Sequence, residues 1–242
     1  MLAIFKRELS GFLNSQMAYI IIGVFLTVCG LMFWFYPDTS ILNYGYAEMD
    51  GFFALAPFLF IFLISAITMR SFAEERKEGT YVLLATRPLS ELQIILAKYL
   101  ACVVLVLFAI LPTLIYDYSI YQLGMPKGNI DGGAVMGSYI GLFLLGSAFA
   151  AIGIFASSVT KNQIVSFSIS ALLCFFAYNG FESISKISFF EPIESSLQQM
   201  GISQHYESIS RGVLDTRDVI YFCSFIAVFL LLTKLIVGDR KW

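Results

Sequence analysis

Residues 134–156 read AVMGSYIGLFLLGSAFAAIGIFA, which is 23 consecutive residues without a charged side chain. An apolar run of roughly 18 residues or more is long enough to cross a lipid bilayer as an α-helix. A helix is the expected element because an open-ended segment in lipid must satisfy its backbone hydrogen bonds internally. The stretch therefore predicts a transmembrane helix.

Apolar stretches of similar length lie on both sides of this segment. The six predicted spans cover about residues 17–36, 52–69, 94–116, 134–156, 163–181 and 219–237. Of the 242 residues, 58% are hydrophobic and 13% are charged, whereas roughly 25% are charged in soluble domains. The sequence thus predicts an all-α integral membrane protein with six transmembrane helices and a single membrane domain over residues 1–242.

The positions of Lys and Arg predict the orientation, because basic residues favour the cytoplasmic side of a membrane. If the N-terminus is cytoplasmic, that side holds Lys6, Arg7, Arg70, Arg76, Lys77, Arg87, Lys98, Lys161, Lys234, Arg240 and Lys241. The other side holds only Lys127, Lys186, Arg211 and Arg217. Both termini are therefore predicted to be cytoplasmic. Lys98 and Lys234 lie inside spans near their ends, so we expect their side chains to extend to the interface without a functional role.

Residues 1–15, before the first span, carry Leu2, Phe5, Leu9 and Phe12 at spacings of three and four. This period is typical of an amphipathic helix that lies in the membrane interface. The alternative is a disordered charged leader.

Small residues inside two spans indicate close helix packing. Gly137 and Gly141 form a G-x-x-x-G motif, which lets helix backbones approach within one chain or between two copies. Ser166, Ser168 and Ser170 alternate along the fifth span. We interpret these serines as hydrogen-bonding groups between helices, and the alternative is that they line a substrate path.

The loop over residues 70–90 carries the most information about function. Arg70 and Glu74 have the spacing of helical neighbours, so the second helix is expected to continue as a charged extension. Gly79 is then a helix stop. Tyr81–Ala85 follow as a short apolar helix, and Ser90 with Gln93 forms a capping box for the third span. The alternative is an ordinary charged hairpin between two helices.

The segment over residues 182–217 is predicted to lie on the opposite side. His205 is the only histidine in the chain, which excludes a histidine-rich metal site. We expect it to make a packing or polar contact, with a proton relay as the alternative. A predicted cluster of charges at the interface, anchoring the last span, contains Arg211, Asp215, Arg217 and Asp218.

Two motifs carry a resemblance to a known family. The run Phe72-Ala-Glu-Glu-Arg-Lys-Glu-Gly-Thr80, with Arg87-Pro-Leu-Ser90, resembles the corresponding loop of ABC-2 type transporter permeases. The residues 204–212 and 215–221 are similar to gliding-motility permease subunits of the GldF type and to copper-maturation permeases. The chain is therefore identified as resembling ABC-2 permeases, and most closely the gliding-motility subgroup.

The resemblance implies a permease subunit of an ATP-driven exporter in the bacterial cytoplasmic (inner) membrane, with a coupling helix in the 70–90 loop. The implied ATPase-coupling residues are Glu74, Glu75, Arg76, Lys77, Glu78, Gly79, Tyr81, Val82, Leu83, Leu84, Arg87 and Pro88. It also implies short re-entrant outer helices before the last span. The implied outer cap contains His205, Glu207, Arg211, Asp215, Arg217 and Asp218.

The same resemblance implies that ATP and Mg are bound by a cytoplasmic ABC ATPase dimer, with no cofactor or metal held by this chain. The sequence agrees, since it has no G-x-x-x-x-G-K-[ST] phosphate-binding loop. Expected membrane partners are a second permease copy or an auxiliary gliding-type subunit. The alternatives are a mechanical or scaffold role in a motility or secretion machine, and a permease for copper-enzyme maturation.

Other classes of function lack the residues that they need. The predicted spans contain no carboxylate pair, histidine cluster or G-x-S-x-G elbow, so no catalytic residues are predicted and an intramembrane enzyme is disfavoured. An ion-coupled carrier is disfavoured because such carriers place ionisable residues at mid-membrane. The net charge of -2 gives no reason to expect nucleic acid binding.

Overall fold

A computed structural model describes residues 1–36, 40–41, 48–80, 90–187, 192–212 and 215–239. Over these residues the chain is helical, and no strand occurs in them. The helices, in chain order, are α1 (Leu2–Leu13), α2 (Gln16–Trp34), α3 (Asp50–Thr68), α4 (Ala73–Lys77), α5 (Glu91–Ile110), α6 (Leu114–Leu123), α7 (Gly132–Val159), α8 (Gln163–Phe175), α9 (Phe181–Ser185), α10 (Glu194–Met200), α11 (Ile202–Ser210) and α12 (Thr216–Asp239).

Six helical segments in these ranges are long and apolar enough to cross a membrane, which confirms the predicted membrane fold. They are Gln16–Trp34, Asp50–Lys77, Glu91–Leu123, Gly132–Val159, Gln163–Ser185 and Thr216–Gly238. Most extend beyond the apolar stretch that predicts them. The third was predicted to end at Tyr116, but its last helix continues to Leu123. Asp117 ends the uncharged run there without ending the helix.

The fourth span, α7, is the centre of the bundle and the most buried of the six spans. It packs against α3, α5, α8, α11 and α12. Its small residues allow this close packing: a Cβ at Gly146 would lie 2.7 Å from Val106 Cγ1, and one at Gly153 would overlap the side chain of Thr68. The side chain of Thr68 on α3 therefore packs directly against the backbone of α7 at Gly153.

Hydroxyl groups connect α3 to α8. Ser65 Oγ donates a hydrogen bond of 2.9 Å to Ser170 Oγ, and both side chains are fully buried. Ser168 instead bonds within its own helix, to the Ile164 carbonyl. Ser170 therefore joins two helices as interpreted, whereas Ser168 does not, and the buried Ser166 Oγ has no hydrogen-bond partner among the described residues.

Two spans depart from regular α-helical geometry. A 3-10 turn over Leu111–Thr113 separates α5 from α6, at Pro112, where the missing amide proton interrupts the helix. In the fifth span a π-helix over Phe176–Gly180 joins α8 to α9. Such π-helical turns are rare and often occur at functional sites.

The N-terminal helix α1 packs against α5. Ile4 is its buried residue, and Phe5, Leu9 and Phe12 pack partly buried beside it. Leu2, which was predicted to belong to the apolar face, is 67% exposed. The helical pattern is therefore correct, but the buried face is centred nearer Ile4 than the spacing from Leu2 indicated.

Candidate functional site

Four charged side chains meet at one end of the bundle, where α1, α4 and α5 converge. We call Arg7, Glu8, Glu75 and Lys98 the charged cluster. Arg7 and Glu8 lie on α1, Glu75 lies on α4, and Lys98 lies on α5. The cluster is electrically balanced, with two cations and two carboxylates.

Lys98 is the buried centre of this cluster, with 1% of its surface exposed. Its Nζ donates to Glu8 Oε1 at 3.0 Å and to the Ser71 carbonyl at 2.6 Å. It also lies 3.0 Å from Glu75 Oε2, as a contact between charges rather than an aligned hydrogen bond. The prediction that Lys98 extends to the interface is therefore wrong. Its ammonium group is buried because Glu8, Glu75 and the Ser71 carbonyl surround it. Lys234, by contrast, is exposed, and its extension to the interface stays a prediction.

Arg7 closes the cluster on its exposed side. Its guanidinium lies 2.6 Å from Glu8 Oε1 and 2.5 Å from Glu75 Oε1. Glu8 and Glu75 are each shared between Arg7 and Lys98, so neither carboxylate lacks a counter-charge. The energetic cost of burying an ammonium group, several kcal/mol if it were alone, is offset by this shared pairing.

Ser157, near the end of α7, holds the start of α4. Its Oγ accepts hydrogen bonds from the backbone amides of Phe72 and Ala73, at 2.9 and 3.1 Å. The same hydroxyl donates to the Met69 carbonyl at 3.1 Å. Amides at the first turn of a helix have no partner within the helix, so Ser157 supplies the capping contacts that the sequence of α4 lacks.

Arg76 attaches α4 to the end of α7 a second time. Its guanidinium donates to the carbonyl of Ser158, one residue before α7 ends, and only 5% of its surface is exposed. A cation beside the last carbonyls of a helix is favourable because those carbonyls carry partial negative charge. Arg76 is thus a structural anchor.

The predicted coupling residues are therefore of two kinds. Glu75 and Arg76 hold the loop in place, whereas Lys77, Glu78 and Gly79 are exposed and Glu74 is half-buried. Gly79 follows the end of α4 with a φ of +71°, as expected for a helix stop. The remaining predicted residues, Tyr81, Val82, Leu83, Leu84, Arg87 and Pro88, lie outside the described residues. The capping box of Ser90 and Gln93 is present at the start of α5.

A cleft of about 480 Å³ lies between α1 and α4 beside the charged cluster. Arg70 and Glu74 line it, together with the four cluster residues. The Glu74 amide donates a 3.3 Å hydrogen bond to the Arg70 carbonyl, as predicted for helical neighbours, but the two side chains form no ion pair. In the described part of the chain, no group of three or more His, Cys, Asp or Glu side chains could hold a metal ion.

At the opposite end of the bundle, α11 packs against the start of α7. A Cβ at Gly141 would lie 2.8 Å from Ile209 Cγ2, and one at Gly137 would lie 3.0 Å from Gly212 Cα. The G-x-x-x-G motif therefore forms a contact within the chain, with a short helix rather than with a span.

Tyr206, on the same face of α11 as Ile209, fixes this helix to α3. Its hydroxyl donates a 2.8 Å hydrogen bond to the Phe53 carbonyl. Burial raises the pKa of this phenol well above its ordinary value, so it remains a neutral donor.

His205 joins α11 to the last span. Its Nδ1 lies 2.7 Å from Asp218 Oδ1, its Nε2 lies 2.9 Å from the Gln199 carbonyl, and its ring stacks on Tyr221 at 3.9 Å. A carbonyl can only accept, so Nε2 is the donor in its contact. The polar packing expected for His205 is therefore present.

The other predicted outer residues have separate partners. Arg211 pairs loosely with Glu207 at 3.8 Å, and Asp215 accepts from the Arg217 amide at the start of α12. Asp218 is buried against His205. The prediction of one charge cluster containing Arg211, Asp215, Arg217 and Asp218 is wrong: within the described residues no two of them form an ion pair.

Sequence reasoning missed the contacts that Glu8, Lys98 and Ser157 make with α4 and the residues before it. A usable signal existed for Lys98, because an ionisable residue inside a span usually faces a partner in the bundle. Nothing in the local sequence pointed to Ser157, whose role depends on where α7 ends.

Comparison with known proteins gives one family. The family model described as "ABC-2 family transporter protein" matches residues 40–235, which is most of the chain. No curated protein matches.

Proposed function

Because the chain belongs to the ABC-2 family of transporter proteins, we propose that it is the permease subunit of an ATP-driven exporter, coupled to a separate ATPase through the segment between α3 and α5. The observation that carries this proposal is the buried Lys98, which joins Glu8 of α1 to Glu75 of α4. A force on α4 would reach α1 and α5 through the same group.

The surface that we assign to the ATPase consists of the exposed Lys77, Glu78 and Gly79, followed by residues 81–89. Tyr81, Val82, Leu83 and Leu84 are the apolar side chains that would insert into the ATPase. Arg87 and Pro88 would end that segment. The partly exposed Glu74 lies at the margin of the cleft between α1 and α4.

The attachment of α4 supports a mechanical link to the transport helices. Ser157 and Arg76 fix α4 to the end of α7, which contacts α3, α5, α8 and α12. ATP and Mg would be bound by the partner ATPase dimer. Closure of that dimer would shift α4, and the shift would favour one of two arrangements of the bundle, provided that the partner contacts differ between them.

A cytoplasmic location for α1 and α4 follows from the positive-inside rule, since most Lys and Arg residues lie on or beside that end. The membrane would then be the bacterial inner membrane, with α11 on its outer face. A second copy of the chain or an auxiliary subunit would complete the exporter. Gliding motility and copper-enzyme maturation are both compatible with the family. We propose that the exporter serves gliding motility, because residues 204–221 resemble those of gliding-motility permease subunits.

Affinity purification tests the ATPase partnership. We expect tagged protein from its native membranes to retain an ABC ATPase, identified by mass spectrometry, and Lys77→Glu combined with Leu83→Ala to reduce the amount retained at least fivefold. Lys127→Glu is the matched control, because Lys127 is also exposed but lies in the connection between α6 and α7. Unchanged retention in the double variant would show that this loop is not the docking surface.

A second experiment separates transport from the scaffold alternative. In cells that carry a hydrolysis-deficient form of the retained ATPase, the process served by the complex should stop. Survival of that process would favour a mechanical or scaffold role.

A further inference from the structure

A cavity with a partly polar lining at the α11 end of the bundle has a volume of about 590 Å³. It lies between the start of α3, the π-helix and α11, and we call it the α11 vestibule. Phe53, Phe58 and Tyr178 supply aromatic walls, while Asp50, Asn179 and Ser203 supply polar groups. The size and the mixed lining are those of a small-molecule site.

Three polar side chains in the vestibule have spare hydrogen-bonding capacity. Asp50, Asn179 and Ser203 have no hydrogen-bond or ion-pair partner among the residues that the structure describes. Ser203 is the most informative of them, because it is 95% buried by the bundle and yet lines this cavity. Its hydroxyl is not one of the enclosed unpartnered atoms, so it opens to the cavity and is available to bond a polar occupant.

The charges of the vestibule restrict what that occupant can be. Its lining contains the carboxylates of Asp50, Glu182 and Glu207 but only one cation, Arg211. Glu182 is paired with Lys186 at 2.7 Å and Glu207 with Arg211, which leaves Asp50 as the free charge. A phosphate or carboxylate would meet repulsion here, whereas hydroxyl or ammonium groups would donate to the carboxylate and to the amide oxygen.

An apolar surface continues from the vestibule along α3. Phe58 lines the vestibule, and one helical turn further Phe62 lines an apolar groove of about 410 Å³ between α2 and α3. Both rings are exposed, Phe62 to 61%. A molecule with its polar group in the vestibule would therefore have an apolar surface available for a hydrocarbon chain.

We infer that the α11 vestibule binds the head group of an amphiphilic substrate, a head group that donates hydrogen bonds and carries no negative charge. The hydrocarbon part lies along the face of α3 formed by Phe58 and Phe62. The inference names the class of substrate for the proposed exporter and in that respect rests on the proposed function. Binding itself requires only this chain.

Photo-crosslinking in lipid nanodiscs tests this assignment on the full chain. The probe is decyl glucoside with a diazirine on the sugar. We expect its crosslinks to map to residues 50–58, 178–182 and 203–211. An excess of unlabelled decyl glucoside or decylamine should compete, and decyl phosphate should not. The more effective of the first two competitors identifies whether hydroxyl or ammonium chemistry is preferred.

Variants make the test specific. Asp50→Asn combined with Asn179→Ala should reduce vestibule crosslinking at least fivefold. Glu48→Gln, an exposed carboxylate two residues away that does not line the cavity, should leave it unchanged. Crosslinks spread evenly over lipid-facing helices, equal competition by decyl phosphate, or no effect of the double variant would each overturn the inference. Retention of the ATPase is measured separately in the same preparation. If vestibule labelling is lost while the ATPase is retained, this inference is wrong but the proposed function is not contradicted.

Discussion

Lys98 Nζ and Glu75 Oε2 lie 3.0 Å apart, and the two residues belong to helices on either side of the predicted coupling segment. Glu75 is on α4, before residues 81–89, and Lys98 is on α5, after them. The pair therefore closes the base of the loop that the ATPase is proposed to contact. With Glu8, it makes α1 part of the same unit.

Removal of the buried ammonium group of Lys98 should destabilise the protein. We expect Lys98→Ala to lower the stability of the protein by about 3 kcal/mol, because Glu8 and Glu75 would remain close together without their central cation. Thermal unfolding in nanodiscs, followed by tryptophan fluorescence, measures the change. Lys234→Ala is the control, since Lys234 also lies in a spanning helix but is exposed. Equal effects of the two variants would contradict a special role for Lys98.

Simultaneous removal of charge and counter-charge should cost less than the two single changes added together. Lys98→Met with Glu75→Gln leaves Glu8 paired with Arg7, so the double variant should recover about 1–2 kcal/mol relative to the sum. A complete thermodynamic cycle in the same unfolding assay gives this coupling energy. Strict additivity would mean that the two groups do not interact in the folded protein.

The contact between α7 and α11 leaves no room for a larger side chain. Gly141→Val should destabilise the protein by about 1–3 kcal/mol, because its side chain would overlap Ile209. Gly23→Ala is a matched control inside a helix: no atom lies within 4 Å of the added Cβ, and stability should be unchanged or rise slightly. Combining Gly141→Val with Ile209→Ala should restore part of the loss, and a further loss would argue against this contact.

His205 should contribute to the stability of the protein through its contacts with Asp218 and Tyr221. We expect His205→Ala to cost about 2–3 kcal/mol, since the buried Asp218 would lose the only hydrogen bond that its side chain makes in the described part of the chain. Gln204→Ala, at the exposed neighbouring position on α11, should be nearly neutral. The same thermal assay compares the two, and a neutral result for His205→Ala would remove it from the contacts that hold α11 to α12.

The features that the sequence predicted well depend on local patterns. Uninterrupted apolar runs predicted the six spans, Gly79 predicted the end of α4, and Ser90 with Gln93 predicted the start of α5. Each of these depends on residues within a few positions of one another, so no knowledge of the tertiary fold was needed.

The features that the sequence did not predict depend on contacts between distant residues. Lys98 is one turn from a span end, where an extended side chain would normally reach water; only the return of α1 onto α5 places Glu8, 90 positions away, beside it. The prediction of a charge cluster at the start of α12 was wrong for a related reason. Its residues are close in sequence, but Asp218 turns inward to His205 while Arg217 does not.

The near-contact of α3 and α7 at Gly153 has a consequence for motion. The contact point lies close to the attachment of α4, and about 21 residues, or roughly 32 Å of helix, separate it from the other end of α7. Phe52 and Phe53 of α3 also pack against Tyr139 near that other end, so the two helices are joined at both ends. In the proposed coupling, a displacement of α4 would therefore reach the α11 vestibule through movement of α3 and α7 as one unit.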